Sequence, residues 1–417
     1  MRILLIHQYF LEKDDGGGSR FNEMTRVWEE KGHEITVLAG MVHYATGKKQ
    51  LRYVNKFISR EQYSKDTTVL RCHVSEAYNT NLIGRLWAYV TFIFSSLYAG
   101  LFKTEGKFDI IVVTSPPLFV GISAYLLSRL KRIPFIFEVR DLWPDSMVIS
   151  KSIVNDILFK ILLGMESFFY RKAIAINVLT PSFRKVLIEE KNVPPEKIIY
   201  IPNGSDFTLA EQVNVGFDRM AYRKKYNFAD ETVIVYLGAH GLANHLVQVL
   251  DTAEILKNEN LLFVMVGDGI QKAKLIEDAQ KRKLDNIKFI DSVPKAEALK
   301  IILAADIGTS VLKKSDLFKT IYSNKTFDYM SCKKPILMVI DGISRDLVEE
   351  AKCGIFAEPE NPEDIAEKIM FYLNNKSLMT THGEAGYIFA KEHFDRDVLG
   401  LKYIDETQRI VNESQRR

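Results

Sequence analysis

Short runs of β-branched and aliphatic residues alternate along this chain with longer stretches whose apolar positions recur every three to four residues. That pattern predicts parallel sheets covered on both faces by helices. In the first half the runs predict strands near Arg2–Ile6, Glu34–Leu38, Thr68–Val74, Asp109–Thr114, Pro134–Val139, Ala173–Leu179 and Lys197–Ile201, with helices between them. Lys31-Gly32-His33 supplies the cation and the glycine expected where the first helix ends. Pro202-Asn203-Gly204 then signals a turn, and the polar segment up to Glu231 has no clear period and reads as the connection between two domains. A second series follows, with strands at Thr232–Leu237, Leu261–Val266, Asn286–Ile290, Asp306–Val311 and Gly354–Ala357, separated by helices at Leu242–Lys257, Gln271–Arg282 and Ala296–Ala304. From Pro362 the tail is helical. The expected fold class is α/β, two doubly wound Rossmann-like domains in tandem. Neither half carries GxGxxG, which points to an enzyme that binds its ligand in a cleft between the domains.

Two stretches imitate membrane spans. Leu86–Phe102 runs for 17 residues without a charge between Arg85 and Lys103, but it includes Thr91, Ser95, Ser96 and Gly100 and sits at the short limit for crossing a bilayer. It is expected as a helix that either fills the core or lies at a membrane interface. Ile111–Leu127 is broken by Ser115-Pro116-Pro117 into strand, turn and helix.

Composition narrows the class. A length of 417 residues exceeds what one core organises and suits two domains of about 150–220 residues each. With 47% hydrophobic and 26% charged residues the chain is not disordered. Residues 1–200 carry 27 Lys and Arg against 20 Asp and Glu, and residues 201–417 carry 29 against 33. The basic excess of the first half is too dilute for a dedicated nucleic-acid binder, yet it suits a domain that works beside phosphate groups or an anionic membrane face. Cys72, Cys332 and Cys353 lie far apart with no CxxC pair and no histidine at ligand spacing, so neither a disulfide framework nor a structural zinc site is indicated and a reducing cytosol fits. The apolar run at Ile3–Ile6 is too short for a signal-peptide core and no small-residue cleavage site follows, so a cytoplasmic location is expected.

Candidate chemistry sits where strands end. Gly16-Gly17-Gly18-Ser19-Arg20 follows the first strand and precedes a helix, so backbone N–H groups there can approach a phosphate or carboxylate; the plainer reading is a surface loop. The strand ending at Val139 runs into Arg140-Asp141-Leu142-Trp143-Pro144-Asp145, with Glu138 just before it. Carboxylate and guanidinium match sugar hydroxyls and Trp143 offers a flat face to a ring, unless these residues only cap a turn or pair with each other. In the second half Gly238-Ala239-His240-Gly241 and Gly267-Asp268-Gly269 are strand–glycine–helix junctions that can carry a diphosphate, although tight turns use glycine anyway. Lys325 and Asp328 share a helical face, suited to diphosphate and ribose respectively or simply to an exposed ion pair.

Taken together, Gly16 to Arg20, Thr114-Ser115-Pro116-Pro117, Arg140 to Pro144, Gly238 to Leu242 and Ser323-Asn324-Lys325-Thr326-Phe327-Asp328-Tyr329-Met330 make the chain resemble, over nearly its whole length, the bacterial glycosyltransferases of family 4, the retaining GT-B type. The nearest look is to the branch of fucosamine-type sugar transferases of O-antigen and capsule assembly. The resemblance implies two domains facing each other across a cleft: an acceptor-binding domain at 1–203, a nucleotide-sugar domain at 204–395, and a final helix, 396–417, returning to the first. It implies a UDP-sugar donor, a polyprenyl-diphosphate-linked saccharide as acceptor, no metal or other cofactor, no nucleic acid, and peripheral contact with the cytoplasmic membrane face. Gly17, Gly18, Gly238, His240, Gly241, Gly267, Asp268, Gly269, Lys325 and Asp328 are the implied donor contacts. Glu138, Arg140, Asp141 and Trp143 are the acceptor contacts, with Asp141, Lys325 and Asp328 catalytic.

Two departures from the family pattern stand out. Asp328 takes the place of the second glutamate of the E-x7-E motif while Thr320 stands where the first acid is usual, and the Arg and Lys common after the glycine-rich strand are absent from Gly241-Leu242-Ala243-Asn244-His245. Lys325 is expected to supply the missing cation. Two other readings share the architecture: a nucleotide-sugar 2-epimerase, and a non-catalytic subunit of another transferase.

Overall fold

The computed structural model describes residues 1–12, 15, 20–43, 47–79, 81–146, 156–228 and 230–416. By its contacts the chain forms two units. The first takes in Met1–Glu12, the chain from Arg20 to Pro202 and the segment from Asp397 on; the second takes in Asn203–Arg396.

The first unit is built on eight strands, β1 (Arg2–Ile6), β2 (Glu34–Gly40), β3 (Ile58–Gln62), β4 (Thr67–Cys72), β5 (Ile110–Ser115), β6 (Phe135–Val139), β7 (Ala175–Val178) and β8 (Ile198–Tyr200). Their order is β3-β4-β2-β1-β5-β6-β7-β8, parallel except for the β3–β4 pair. β3 reads Ile-Ser-Arg-Glu-Gln, an edge strand with no apolar alternation, which is why hydrophobic periodicity does not reveal it. Alternation along the other strands divides the core. Ile3, Leu5, Val37 and Val112 pack with Phe21, Trp28 and Tyr403 of the helices Arg20–Glu30 and Arg396–Arg416, where Trp28 Nε1 donates to the Gly400 carbonyl at 3.0 Å. Facing the other way, Phe137 stacks on Phe169 of the helix Asp156–Lys172.

The second unit has six parallel strands, β9 (Thr232–Leu237), β10 (Leu261–Val266), β11 (Ile287–Ile290), β12 (Ile307–Val311), β13 (Ile336–Val339) and β14 (Gly354–Phe356), in the order β11-β10-β9-β12-β13-β14. Val233 and Val235 enter one core, Ile234 and Tyr236 the other. Two sequence expectations are corrected here. The segment before Glu231 is no bare connection: Asp206 and Asp218 accept from the Leu209 and Ala221 N–H groups and cap the helices Phe207–Asn214 and Arg219–Lys225. Phe207 is buried in the core and Arg223 donates to the Ala304 carbonyl. The helix expected over 242–257 is split, because His245 adopts φ +46° and separates a short turn at Leu242–Asn244 from the helix Val247–Ile255.

In both sheets the chain first builds outward from its opening strand and then returns to that strand's other side. The reversals fall between β1 and β5 and between β9 and β12, and the C-terminal ends of those strands are where open α/β sheets hold ligands. Among the described residues no helix is long and apolar enough to cross a membrane. The 86–102 stretch lies in the helix Leu82–Phe102, and the proline-broken stretch becomes β5 followed by the helix Val120–Lys131.

Candidate active site

In the second unit the two glycine junctions, which the sequence offers singly, form one structure. β9 leads into Gly238–Gly241 and the adjacent β10 into Gly267–Gly269. The two turns are tied by bonds from Gly238 N–H to Val266 O, His240 N–H to Asp268 O and Gln271 N–H to His240 O, each 2.9–3.0 Å. Gly267 sits at φ +140°, and a Cβ there would lie 2.0 Å from the Gly238 carbonyl oxygen. Any side chain would pry the turns apart. Gly267→Ala is therefore expected to destabilise the second unit by about 1–3 kcal/mol, which thermal melts will read. The Gly238, His240 and Gly267 N–H groups are all engaged, whereas those of Ala239, Gly241, Asp268 and Gly269 carry no hydrogen bond among the described residues.

The helix Asn324–Ser331 brings the charge. Tyr329, fully buried on it, accepts from Leu237 N–H at 3.0 Å and donates to Thr309 O, fastening the helix to β9 and β12. One turn back, Lys325 places its ammonium 4.7 Å from the centre of the Tyr236 ring, and its Cε lies 3.1 Å from where a Gly238 Cβ would be. It makes no hydrogen bond or ion pair among the described residues. Burial pulls its pKa down to about 8, with Asp328 pulling the other way. Asp328 is buried, and its Oδ1 accepts from Ser205 Oγ at 2.8 Å and from Lys295 Nζ at 2.6 Å, while Oδ2 has no partner among the described residues. Lys325 and Asp328 thus form no exposed ion pair with each other. The sequence does not disclose Ser205 and Lys295, which come from distant elements. His240 is fully buried against Tyr236 and Phe289 with neither ring nitrogen hydrogen-bonded, and burial lowers its pKa to about 4, so the ring is neutral at pH 7. The Asp268 carboxylate is half-exposed and engaged by Lys272 Nζ and Ser292 N–H.

In the first unit the candidate residues gather at the ends of β1, β5 and β6. Arg140 N–H donates to Ser115 O, and its guanidinium donates to His7 Nε2 at 3.2 Å. His7 is buried between Phe10 and Phe21. Burial, followed by Arg140 and Arg71, holds its pKa well below the usual value, and its Nδ1 has no partner. Its place at the end of the first strand is the one sequence signal that marks it out. Burial raises the Asp141 carboxyl, against Ser146 Oγ, which donates to it at 2.9 Å. The next turn is held by Lys191, which bridges Asp145 at 2.7 Å and Glu166 at 3.0 Å. Trp143, half-buried, meets the Phe119 ring edge-on.

Glu138 is a correction. Instead of facing an acceptor it is fully buried, with Oε1 taken by Arg20 Nε and Thr114 Oγ1 and Oε2 by Arg20 Nη2 and Asn177 Nδ2. No surface is left for a sugar hydroxyl. Gly17 and Gly18 lie outside the described residues. Among the described residues no group of three or more His, Cys, Asp or Glu side chains is disposed to hold a metal ion.

Comparison with known proteins agrees with this division of the chain. Residues 15–204 match the glycosyl transferase 4-like domain and residues 218–389 match the glycosyl transferases group 1. The chain is 23% identical over 413 residues, 97% of this chain and 99% of the relative, to WcaI of Escherichia coli strain K12, assigned to colanic acid biosynthesis as a glycosyl transferase. Its fold matches the sucrose-phosphate synthase of Thermosynechococcus elongatus at TM-score 0.77 and 14% identity, covering 99% of each chain. It matches Anabaena Alr3699/HepE, solved with UDP-glucose, at TM-score 0.71 and 14% identity, covering 98% of this chain and 99% of that one. With two sheet-based units, a glycine-lined turn pair under a lysine-bearing helix, and transferase domain matches on both halves, the chain is a glycosyltransferase of GT-B architecture.

Proposed function

We propose that this glycosyltransferase moves a sugar, with retention of configuration, from a UDP-sugar to a polyprenyl-diphosphate-linked saccharide during assembly of an O-antigen- or capsule-type polysaccharide. An N-acetylated 6-deoxyhexosamine such as N-acetylfucosamine is the proposed transferred sugar. The observation that carries the reading is Lys325, a crowded and unpaired ammonium beside two interlocked glycine turns, with Asp328 Oδ2 open three residues along the same helix. A leaving diphosphate gathers negative charge as the glycosidic bond opens, and fixed donors already aimed at that place stabilise it without reorganisation. The unengaged N–H groups of Ala239, Gly241, Asp268 and Gly269 and the Lys325 ammonium are such donors. Asp328, steadied by Ser205 and Lys295, is assigned the ribose hydroxyls.

Arg140, Asp141 and Trp143 are assigned the acceptor. Asp141 orients the attacking hydroxyl, and the departing phosphate oxygen takes its proton. The relationship to WcaI supports the polysaccharide setting, and the UDP-glucose complex of the HepE fold neighbour supports a nucleotide-sugar donor. The reaction as proposed uses no metal, so turnover should persist in excess EDTA.

The test is a panel of UDP-sugars offered with and without a lipid-linked saccharide, read by mass spectrometry. Acceptor-dependent release of UDP with a mass gain on the lipid is the expected result. An epimerised donor formed without acceptor would instead make the chain a 2-epimerase, and absence of turnover across the panel would make it a non-catalytic subunit.

A further inference from the structure

The end of β1 holds a side chain that the proposed reaction leaves without a task. His7 is fixed on both sides by its main chain, its N–H donating to Leu38 O and its carbonyl accepting from Phe10 N–H, each at 3.1 Å. Its ring is 2% exposed and lies between Phe10, edge-on at 6.2 Å, and Phe21 at 5.4 Å. Arg140 directly follows β6, and β5 separates β6 from β1, so the guanidinium reaches back past the end of β5 to donate to His7 Nε2 at 3.2 Å. The backbone sets the start of that reach as well, because Arg140 N–H is held by Ser115 O just beyond the paired residues of β5 and β6.

This bond decides the tautomer. A guanidinium only donates, so Nε2 accepts and the ring proton of a neutral His7 sits on Nδ1. Burial first, and then Arg140 and Arg71, keep the ring neutral at pH 7. Nδ1 is itself buried and finds no acceptor among the described residues, and a stranded N–H costs stability. A leucine would fill the space between Phe10 and Phe21 without that cost, so packing does not account for an imidazole here. What the imidazole adds is a fixed lone pair under Arg140. Arg20 shows the opposite arrangement, a guanidinium buried and closed off by Glu138, whereas Arg140 is half-buried at the C-terminal edge of the sheet. We infer that His7 is the positioning residue for Arg140, its Nε2 setting the direction of the guanidinium and, through it, the seat of the acceptor. The inference rests on the assignment of Arg140 to the acceptor, and the two can fail separately.

Two measurements on the full chain test it. In ligand-free protein carrying isotope-labelled histidine, nitrogen NMR should show the His7 ring at pH 7 as the neutral tautomer protonated on Nδ1, with an Nε2 signal that moves in Arg140→Met. The tautomer protonated on Nε2, or a ring indifferent to Arg140→Met, overturns the inference. In turnover with a UDP-sugar and a polyprenyl-diphosphate-linked saccharide, His7→Leu should raise the acceptor KM by about tenfold, with the donor KM unchanged and the melting midpoint no lower than wild type. Glutamine places an amide oxygen near the Nε2 position and asparagine near Nδ1, so His7→Gln should recover most of the loss and His7→Asn should not. An unchanged acceptor KM in His7→Leu, where Arg140→Met raises it, overturns the inference and leaves the acceptor assignment standing. An acceptor KM unmoved by Arg140→Met removes the assignment and the inference with it. A His7→Leu protein that melts well below wild type and loses donor and acceptor affinity alike would make His7 a packing residue only.

Discussion

Lys325→Met is expected to lower kcat/KM for the nucleotide sugar by about 100- to 1,000-fold, the usual loss when a single preorganised donor to a developing anion is removed. The same change should make the ligand-free protein more stable. Burial has brought the ammonium from 10.5 to about 8, a disadvantage of about 3 kcal/mol for the charged form in the folded state. Because the folded value lies below the unfolded one, the unfolded chain holds a proton between pH 8 and 10.5 that the folded chain has released. Stability conferred through this group therefore rises with pH across that window, and below pH 8 the whole cost is present. At pH 7 methionine removes it, and a rise in melting temperature of about 5 °C is the expected size. The pH profile is a third readout: kcat/KM should fall as pH rises through about 8, whereas kcat, which reports the donor-bound state, should bend at higher pH because the diphosphate holds the proton on. A variant with unchanged kcat/KM would remove Lys325 from the donor site.

Glu138→Gln is expected to destabilise the first unit by about 3–5 kcal/mol, read as a lower denaturation midpoint with an unchanged slope. The substitution keeps the shape and removes the charge to which the buried Arg20 guanidinium donates through Nε and Nη2. Arg20 also donates to the carbonyls of Ile201 and Pro202, so the pair anchors the chain where it leaves the first unit. Asn177 joins the same network from β7, accepting from Ile201 N–H. Arg20→Met/Glu138→Leu should be closer to wild type than the single change, since it removes both members of the buried pair together. If the single variant unfolds with the wild type, the pair is not the anchor described.

Periodicity reveals most of the sheet framework because buried parallel strands are written as continuous β-branched runs; β9 and β10 fall on the residues expected. It fails where polarity hides order. β3 is polar because it is an edge, and the helices Phe207–Asn214 and Arg219–Lys225 are short, capped by aspartates that resemble loop residues. The site is legible to the same extent. Spacing alone places Lys325 and Asp328 on one helical face, but the partners that hold Asp328 come from 123 and 33 residues away, and no local pattern encodes them. Glu138 misleads for the same reason: its neighbour in sequence is Arg140, whereas its partner in space is Arg20, 118 residues distant.

The helix Arg396–Arg416 has a bearing on how the protein is made. Trp28 enters its final environment only when Gly400 and Tyr403 arrive beside it, so a ribosome that has already delivered the fourteen strands found among the described residues has still not supplied this helix of the first unit. Until residues 396–416 are made, the opening half waits with Trp28 short of its partners Gly400 and Tyr403. A messenger truncated anywhere before residue 396 should accordingly yield a product that chaperones and proteases recognise as unfinished.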